Sequence, residues 1–312
     1  MSGAEDGPGG QRDPDASGEP VGEASPPGPA GPVLVTGGTG TLGRAVVRNL
    51  LEGGHAVRVL SRRPLPEAAA PGEEPPGAGS GSGGAPAAPA PAPEWATGDL
   101  TSGEGLHAAV KGVGSVIHCA TTGTSRDVVG TDRLAEALRR SGGRPHLVYV
   151  SIVGVDRVPF FYYRAKAAAE RIVQDSGLPW TILRATQFHD LIARITTAQR
   201  RLPVTLYPAG MSFQPIEADE VAQRLAELAL GPPAGRVPDM GGPEVRTARE
   251  LAQLTLHAYG RRRPLLPVPL AGSAARGYKA GHHTTPGHAV GRRTYAEYVV
   301  AAAAGERSGR RP

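Results

Sequence analysis

The sequence predicts an α/β chain built on a doubly wound parallel sheet with a small C-terminal lobe. Three observations carry this. Short apolar runs alternate with helical periodicity from Pro32 onward, a Gly-rich turn joins the first run to the first helix, and the alternation gives way to irregular sequence near residue 203.

The elements follow in order. Val33-Leu34-Val35 is the first strand. Thr41 to Glu52 is an amphipathic helix with Leu42, Ala45, Val46, Asn49 and Leu50 at helical spacing. Gly53-Gly54 stops it, and His55 to Leu60 is the second strand. A third strand falls near Glu94–Thr97, with a helix near Glu104–Val110. Ser115 to Cys119, His146 to Val150 and Trp180 to Arg184 are the next strands, separated by helices at Asp127–Arg140 and Tyr162–Asp175. Helices at Asp219–Leu230 and Ala248–Tyr259, a Pro-rich crossing (PLLPVPL) and a last helix near Tyr295–Ala303 form the lobe, about residues 203–302, over the sheet's carboxyl edge.

Composition sets the boundaries. The chain has 312 residues, 44 Gly and 31 Pro, and is 39% hydrophobic. Residues 1–31 and 65–93 are rich in Gly, Pro or Ala and lack the apolar content to offset ordering entropy. They are expected to be a disordered tail and a disordered insertion, with residues 303–312 a second tail. Residues 32–302 then form one domain with its lobe. A collagen-like or wholly disordered chain is excluded.

A single cysteine, Cys119, excludes an intramolecular disulfide framework. The acidic, Gly-rich start has no apolar core for a signal peptide, and no apolar run approaches the roughly 18 residues of a membrane helix. A soluble, cytoplasmic protein without a membrane partner is expected. Net charge is +5, yet Lys111, Lys166 and Lys279 are the only lysines among 34 basic residues. That arginine excess reads as coding bias. Arg261-Arg262-Arg263 has neither aromatic interleaving nor helix-turn-helix spacing, so no nucleic-acid partner is expected. His282, His283 and His288 (GHHTTPGH) lack cysteine or carboxylate partners at short spacing and read as a loop, with no metal.

The turn after the first strand runs Gly37-Gly38-Thr39-Gly40-Thr41-Leu42-Gly43. With Gly so common, chance alone expects roughly one G-x-x-G-x-x-G triplet. Its place between strand and helix makes it informative, because glycines admit a pyrophosphate and the helix N-terminus offers open N–H groups. The second strand ends in Ser61-Arg62-Arg63 with no acid nearby. Two guanidiniums and a hydroxyl suit a 2′-phosphate, so NADP is favoured over NAD. Asp99 and Leu100 are placed to flank the adenine. Ala120 and Thr121 pass beside the ribose and nicotinamide, and Cys119 reads as a small buried residue.

Tyr162-x-x-x-Lys166 opens the helix after the fifth strand. Chance predicts roughly 0.08 such pairs in this composition. The spacing puts both side chains on one helix face, where an ammonium would lower the phenol towards working pH and Tyr162 would act as general acid/base. Lys166 would also bond the nicotinamide ribose. Tyr163 is a rival for the acid.

These residues, with YVSIVGVDRVPFFYYRAKAAAERIV, SGLPWTILRATQFHDL, QPIEADEVA and GGPEV, resemble the short-chain dehydrogenase/reductase superfamily. The resemblance is to its atypical, NmrA-like NAD(P)-binding branch and spans residues 32–302. It implies a Rossmann fold and an active hydroxyl shortly beyond the fifth strand, where Ser151 is the one hydroxyl available. It also implies that Gln187, Phe188 and His189 line the pocket, although a helix-capping or packed role suits His189 equally. The expected activity is hydride transfer between NADPH and a carbonyl, quinone-like or conjugated small molecule. A non-catalytic redox sensor and an NAD-dependent nucleotide-sugar epimerase or dehydratase are the alternatives.

Overall fold

The structure is a computed structural model that describes residues 31–63 and 92–308. The expected tail and insertion, residues 1–31 and 65–93, lie outside the described residues except at their edges. The expected tail from residue 303 is helical as far as Ser308.

In chain order the strands are β1 (Val33–Thr36), β2 (Val57–Ser61), β3 (Glu94–Thr97), β4 (Ser115–His118), β5 (His146–Ile152) and β6 (Trp180–Ala185). Beyond them come β7 (Thr205–Pro208), β8 (Ser212–Phe213), β9 (Gly235–Arg236), β10 (Arg246–Thr247) and β11 (Leu265–Val268). The helices are α1 (Thr41–Glu52), α2 (Leu106–Ala109), α3 (Arg126–Arg140), α4 (Phe161–Gln174), α5 (His189–Ala198), α6 (Ala218–Leu230), α7 (Ala248–Ala258), α8 (Ser273–Lys279) and α9 (Tyr295–Ser308).

Seven strands form one parallel sheet in the order β3-β2-β1-β4-β5-β6-β9. Both faces are covered, which is why its central strands read as continuous apolar runs. Val33 and Val35 of β1 join Val148 and Val150 of β5 in the layer under α1 and α6. The alternate residues Leu34, Leu147 and Tyr149 face α2, α3 and α4. The order reverses between β1 and β4, and ligands of such sheets bind at that crevice beyond the strands' carboxyl ends.

The lobe contains more structure than its sequence suggests. The Pro-rich crossing is β11, paired parallel with β7, and β8 pairs antiparallel with β10. Pro267 lacks an N–H, which a two-stranded edge pairing tolerates. Helices α5 and α8 were not expected. Ile192 of α5, Leu251 of α7 and Tyr295 and Val299 of α9 share one core. At Gly154 (φ +80°) a Cβ would lie 2.1 Å from the His282 carbonyl oxygen, so the lobe presses against the loop after β5. Among the described residues no helix is long and apolar enough to cross a membrane.

Candidate dinucleotide and catalytic site

The Gly-rich turn is packed backbone against backbone. A Cβ on Gly43 would sit 2.1 Å from the Gly37 carbonyl oxygen, and one on Gly37 (φ +70°) 2.7 Å from the Ala120 backbone nitrogen. The Gly40 N–H donates to Gly37 O at 2.9 Å, closing the turn. No side chain caps α1 and its first turn carries no acid, so its first N–H groups stay available to an anion. Those N–H groups and the cradle the glycines leave fit a pyrophosphate. The Thr41 hydroxyl donates to Asp190 of α5 at 3.2 Å, which brings the start of α5 to the same turn.

A buried hydrogen-bond chain holds the ends of β1 and β4 together. The Thr131 hydroxyl donates to Asp127 O at 2.7 Å, so it accepts from His118 Nε2 at 3.1 Å. His118 Nδ1 then accepts from the Thr36 hydroxyl at 2.6 Å, and Thr36 Oγ1 in turn accepts the Ala120 N–H at 3.3 Å. Burial, reinforced by the Lys166 ammonium, pushes His118 down to about 3 and keeps it neutral. This chain fixes Ala120 against Gly37.

At the edge of the crevice β2 ends in Ser61, whose hydroxyl accepts the Arg63 N–H at 3.2 Å, while Arg62 and Arg63 are exposed. Among the described residues neither arginine makes an ion pair. Asp99 closes its own turn by accepting the Thr101 N–H at 2.6 Å, and Leu100 packs into the α3 side of the core.

Asp127 organises the loop after β4 and was not singled out in the sequence. Its carboxylate accepts from the Thr121 hydroxyl (2.6 Å), the Thr122 N–H (2.6 Å) and hydroxyl (2.7 Å), and the Gly123 N–H (3.1 Å). Burial alone would raise its pKa. The hydrogen bonds outweigh that and hold it below the ordinary value. The same loop meets the first turn of α4, where a Cβ on Gly123 would lie 4.0 Å from Tyr162 Cδ2.

The Tyr162–Lys166 pair departs from expectation in one respect. Burial pushes the Tyr162 phenol up, partly opposed by its side-chain contact with Thr121, and Lys166 is not among the groups that shift it. The Lys166 ammonium is turned to the sheet, where it donates to Val150 O at 3.0 Å and lies 4.7 Å over the Tyr149 ring. Burial lowers Lys166 to about 8. One turn further along α4, Glu170 accepts two bonds from Arg184 of β6, at 2.8 and 2.7 Å, both side chains being buried. This pair clamps α4 to the sheet.

Ser151 is buried on the α4 face of β5, opposite Arg184, and its hydroxyl takes no hydrogen bond. Gln187 donates to His283 O at 3.1 Å, and Phe188 packs into the α1 side of the core. His189 takes the packed role: it is 1% exposed, its Nε2 is 3.1 Å from Arg293 O, and its ring stacks on Tyr298 of α9. Tyr163 is buried against Tyr278 of α8, and burial raises its phenol strongly. Burial also pushes the Cys119 thiol up to about 12, consistent with an inert packed residue.

Fold and turn together define an NAD(P)-binding protein of the doubly wound type. The pattern of the NAD(P)H-binding family matches residues 82–231. A reductase from Streptomyces griseus, named for (4-alkanoyl-5-oxo-2,5-dihydrofuran-3-yl)methyl phosphate, is 30% identical over 248 residues, 78% of this chain and 79% of that protein. The divinyl chlorophyllide a 8-vinyl-reductase of Oryza sativa is 28% identical, covering 76% of this chain and 61% of that protein. The NADPH-dependent quinone oxidoreductase QOR2 of Escherichia coli, at 17% identity, shares the fold with a TM-score of 0.69 over 86% of this chain and 99% of that one. The chain belongs to the family of NAD(P)H-binding reductases.

Proposed function

We propose that this protein is an NADPH-dependent reductase of carbonyl, quinone-like or conjugated small molecules, with Tyr162 as proton donor. One observation carries the reading. The loop from Ala120 to Gly123 touches the Gly-rich turn at one end and Tyr162 at the other, so phosphate cradle and phenol flank one short segment. The two named reductase relatives support the reaction type.

The bound dinucleotide supplies the hydride. Gly37 to Gly43 and the α1 N-terminus would hold its pyrophosphate. Ser61, Arg62 and Arg63 would receive the 2′-phosphate, Asp99 and Leu100 the adenine, and Ala120 and Thr121 the ribose and nicotinamide. The raised Tyr162 phenol stays protonated at neutral pH, which suits it to give a proton to a developing oxyanion or carbanion. Lys166 keeps N–H donors beyond its bond to Val150 O that would serve the ribose, and the Ser151 hydroxyl on the α4 face of β5, which takes no hydrogen bond, would serve the substrate.

NADPH oxidation against quinones, aldehydes and enones tests this, with Tyr162→Phe alongside. Loss of the donor with the ring retained should lower turnover by roughly 10² to 10⁴ and leave NADPH affinity little changed. Undiminished turnover in Tyr162→Phe removes Tyr162 from proton transfer. Absence of any turnover across the panel, with cofactor binding intact, favours a sensor.

A further inference from the structure

The arginine run that the dinucleotide site does not use lines a shallow, open groove of about 590 Å³ beside α7. Its walls are one face of α7 and the segment leading into β11, neither of which carries the Gly-rich turn. Arg249, Gln253 and His257 succeed one another at four-residue steps, so they line one stripe of α7 about 12 Å long at 1.5 Å per residue. Arg261, Arg262 and Arg263 face that stripe from the other wall.

Among the described residues none of these arginines, nor His257, forms an ion pair with a carboxylate. Arg263 is already committed. It donates to Gln199 O (2.8 Å), Leu202 O (2.9 Å) and Arg200 O, closing the end of α5. Arg261 lies 5.7 Å over the Tyr259 ring, whose hydroxyl is held by Glu306 at 3.1 Å, so that guanidinium is braced. Arg249 and Arg262 are exposed. Leu256, largely buried, Pro264 and the half-buried Leu265 are the apolar members of the lining.

Planar guanidinium forks pair best with phosphate or carboxylate oxygens. The volume falls in the range of small-molecule sites, about 300–1,000 Å³. From the open groove, its arginines free of carboxylate partners and the leucines in its lining, we infer a second binding site, for a phosphate-bearing small molecule with an apolar body. Arg249, Arg261 and Arg262 hold the phosphate, and Leu256 and Leu265 cover the body. The site is independent of the reductase reading.

Calorimetric titration of the full-length protein, kept saturated with NADP⁺, measures this site apart from the dinucleotide crevice. Phenyl phosphate and inorganic phosphate are the probes. One site should be filled, with phenyl phosphate bound more tightly than inorganic phosphate. The triple variant R249S/R261S/R262S should bind at least tenfold more weakly while its NADP⁺ affinity is unchanged. Arg262→Glu alone, at an exposed position, gives the same direction should the triple variant fail to fold. The inference is overturned if NADP⁺-saturated protein binds neither phosphate, or if neither variant changes the affinity. A polyglutamate peptide or single-stranded oligonucleotide that binds more tightly than phenyl phosphate at equal salt also overturns it, in favour of a macromolecular anion.

Discussion

Lys166 carries a charge that the fold has partly desolvated, and that cost can be measured. The side chain is 3% exposed, and burial lowers its ammonium from 10.5 to about 8, while Asp127, Cys119 and Glu170 pull it back up. The folded-state value therefore lies below the unfolded one. Between about 8 and 10.5 the unfolded chain keeps a proton that the folded chain has released, so stability rises with pH across that window. The gain is complete above 10.5 and lost as pH falls through 8. Worked from pH 7 to pH 9.5, the linkage amounts to roughly 2 kcal/mol. Urea unfolding of wild type and Lys166→Met at both pH values reads it. Subtracting the variant removes the opposing titration of Cys119, whose thiol burial holds near 12. Wild type should gain roughly 2 kcal/mol on Lys166→Met between pH 7 and pH 9.5, and the variant should lose turnover and cofactor affinity at both. A wild-type-minus-variant difference that stays flat with pH refutes the desolvated ammonium.

Arg62→Asp should weaken NADPH binding by about 1–3 kcal/mol, the size of a lost charge-assisted contact, and leave NADH less affected. Calorimetry with both cofactors checks it, and tighter NADH binding by wild type contradicts the 2′-phosphate assignment. Asp127→Asn should destabilise the protein by about 1–3 kcal/mol at neutral pH, because the N–H groups of Thr122 and Gly123 lose a charged acceptor. The Asp127 pKa is lowered in the fold, so this contribution is present above the ordinary value of 3.8 and lost as pH falls through the folded one. Thermal melts of the two proteins should therefore converge in acid.

The parts of this molecule that could be read from residues alone are those whose cause is local. A strand buried on both faces must be apolar throughout, so β1, β4 and β5 announce themselves, and a turn pressed against its own backbone must be glycine, so Gly37 and Gly43 do as well. Helix α5 does not. Phe188 stands at its N-cap where Ser, Thr, Asp or Asn would mark a start, and the helix is held by α7 and α9, which come much later in the chain. The short lobe strands fail for the same reason, since two residues of β8 or β10 become a strand only by meeting each other. Asp127 reads as an ordinary acid at a helix start, and its four hydrogen bonds exist because the Thr121–Gly123 loop folds back over it.

The Tyr162–Lys166 pair shows where spacing stops being informative. A four-residue step puts two side chains on one helix face, but it does not choose the partner of a long, flexible ammonium. In this protein the partner is the Val150 carbonyl of β5, with the Tyr149 ring beneath. Lys166 thereby ties the first turns of α4 to the sheet, and the Arg184–Glu170 pair ties the next turn. The phenol one turn before Lys166 is thus carried on a helix anchored at two points, and the loop that Asp127 organises sets its other side. Its pKa is raised by burial rather than lowered by charge, so it keeps its proton at neutral pH, as the proposed role of proton donor requires.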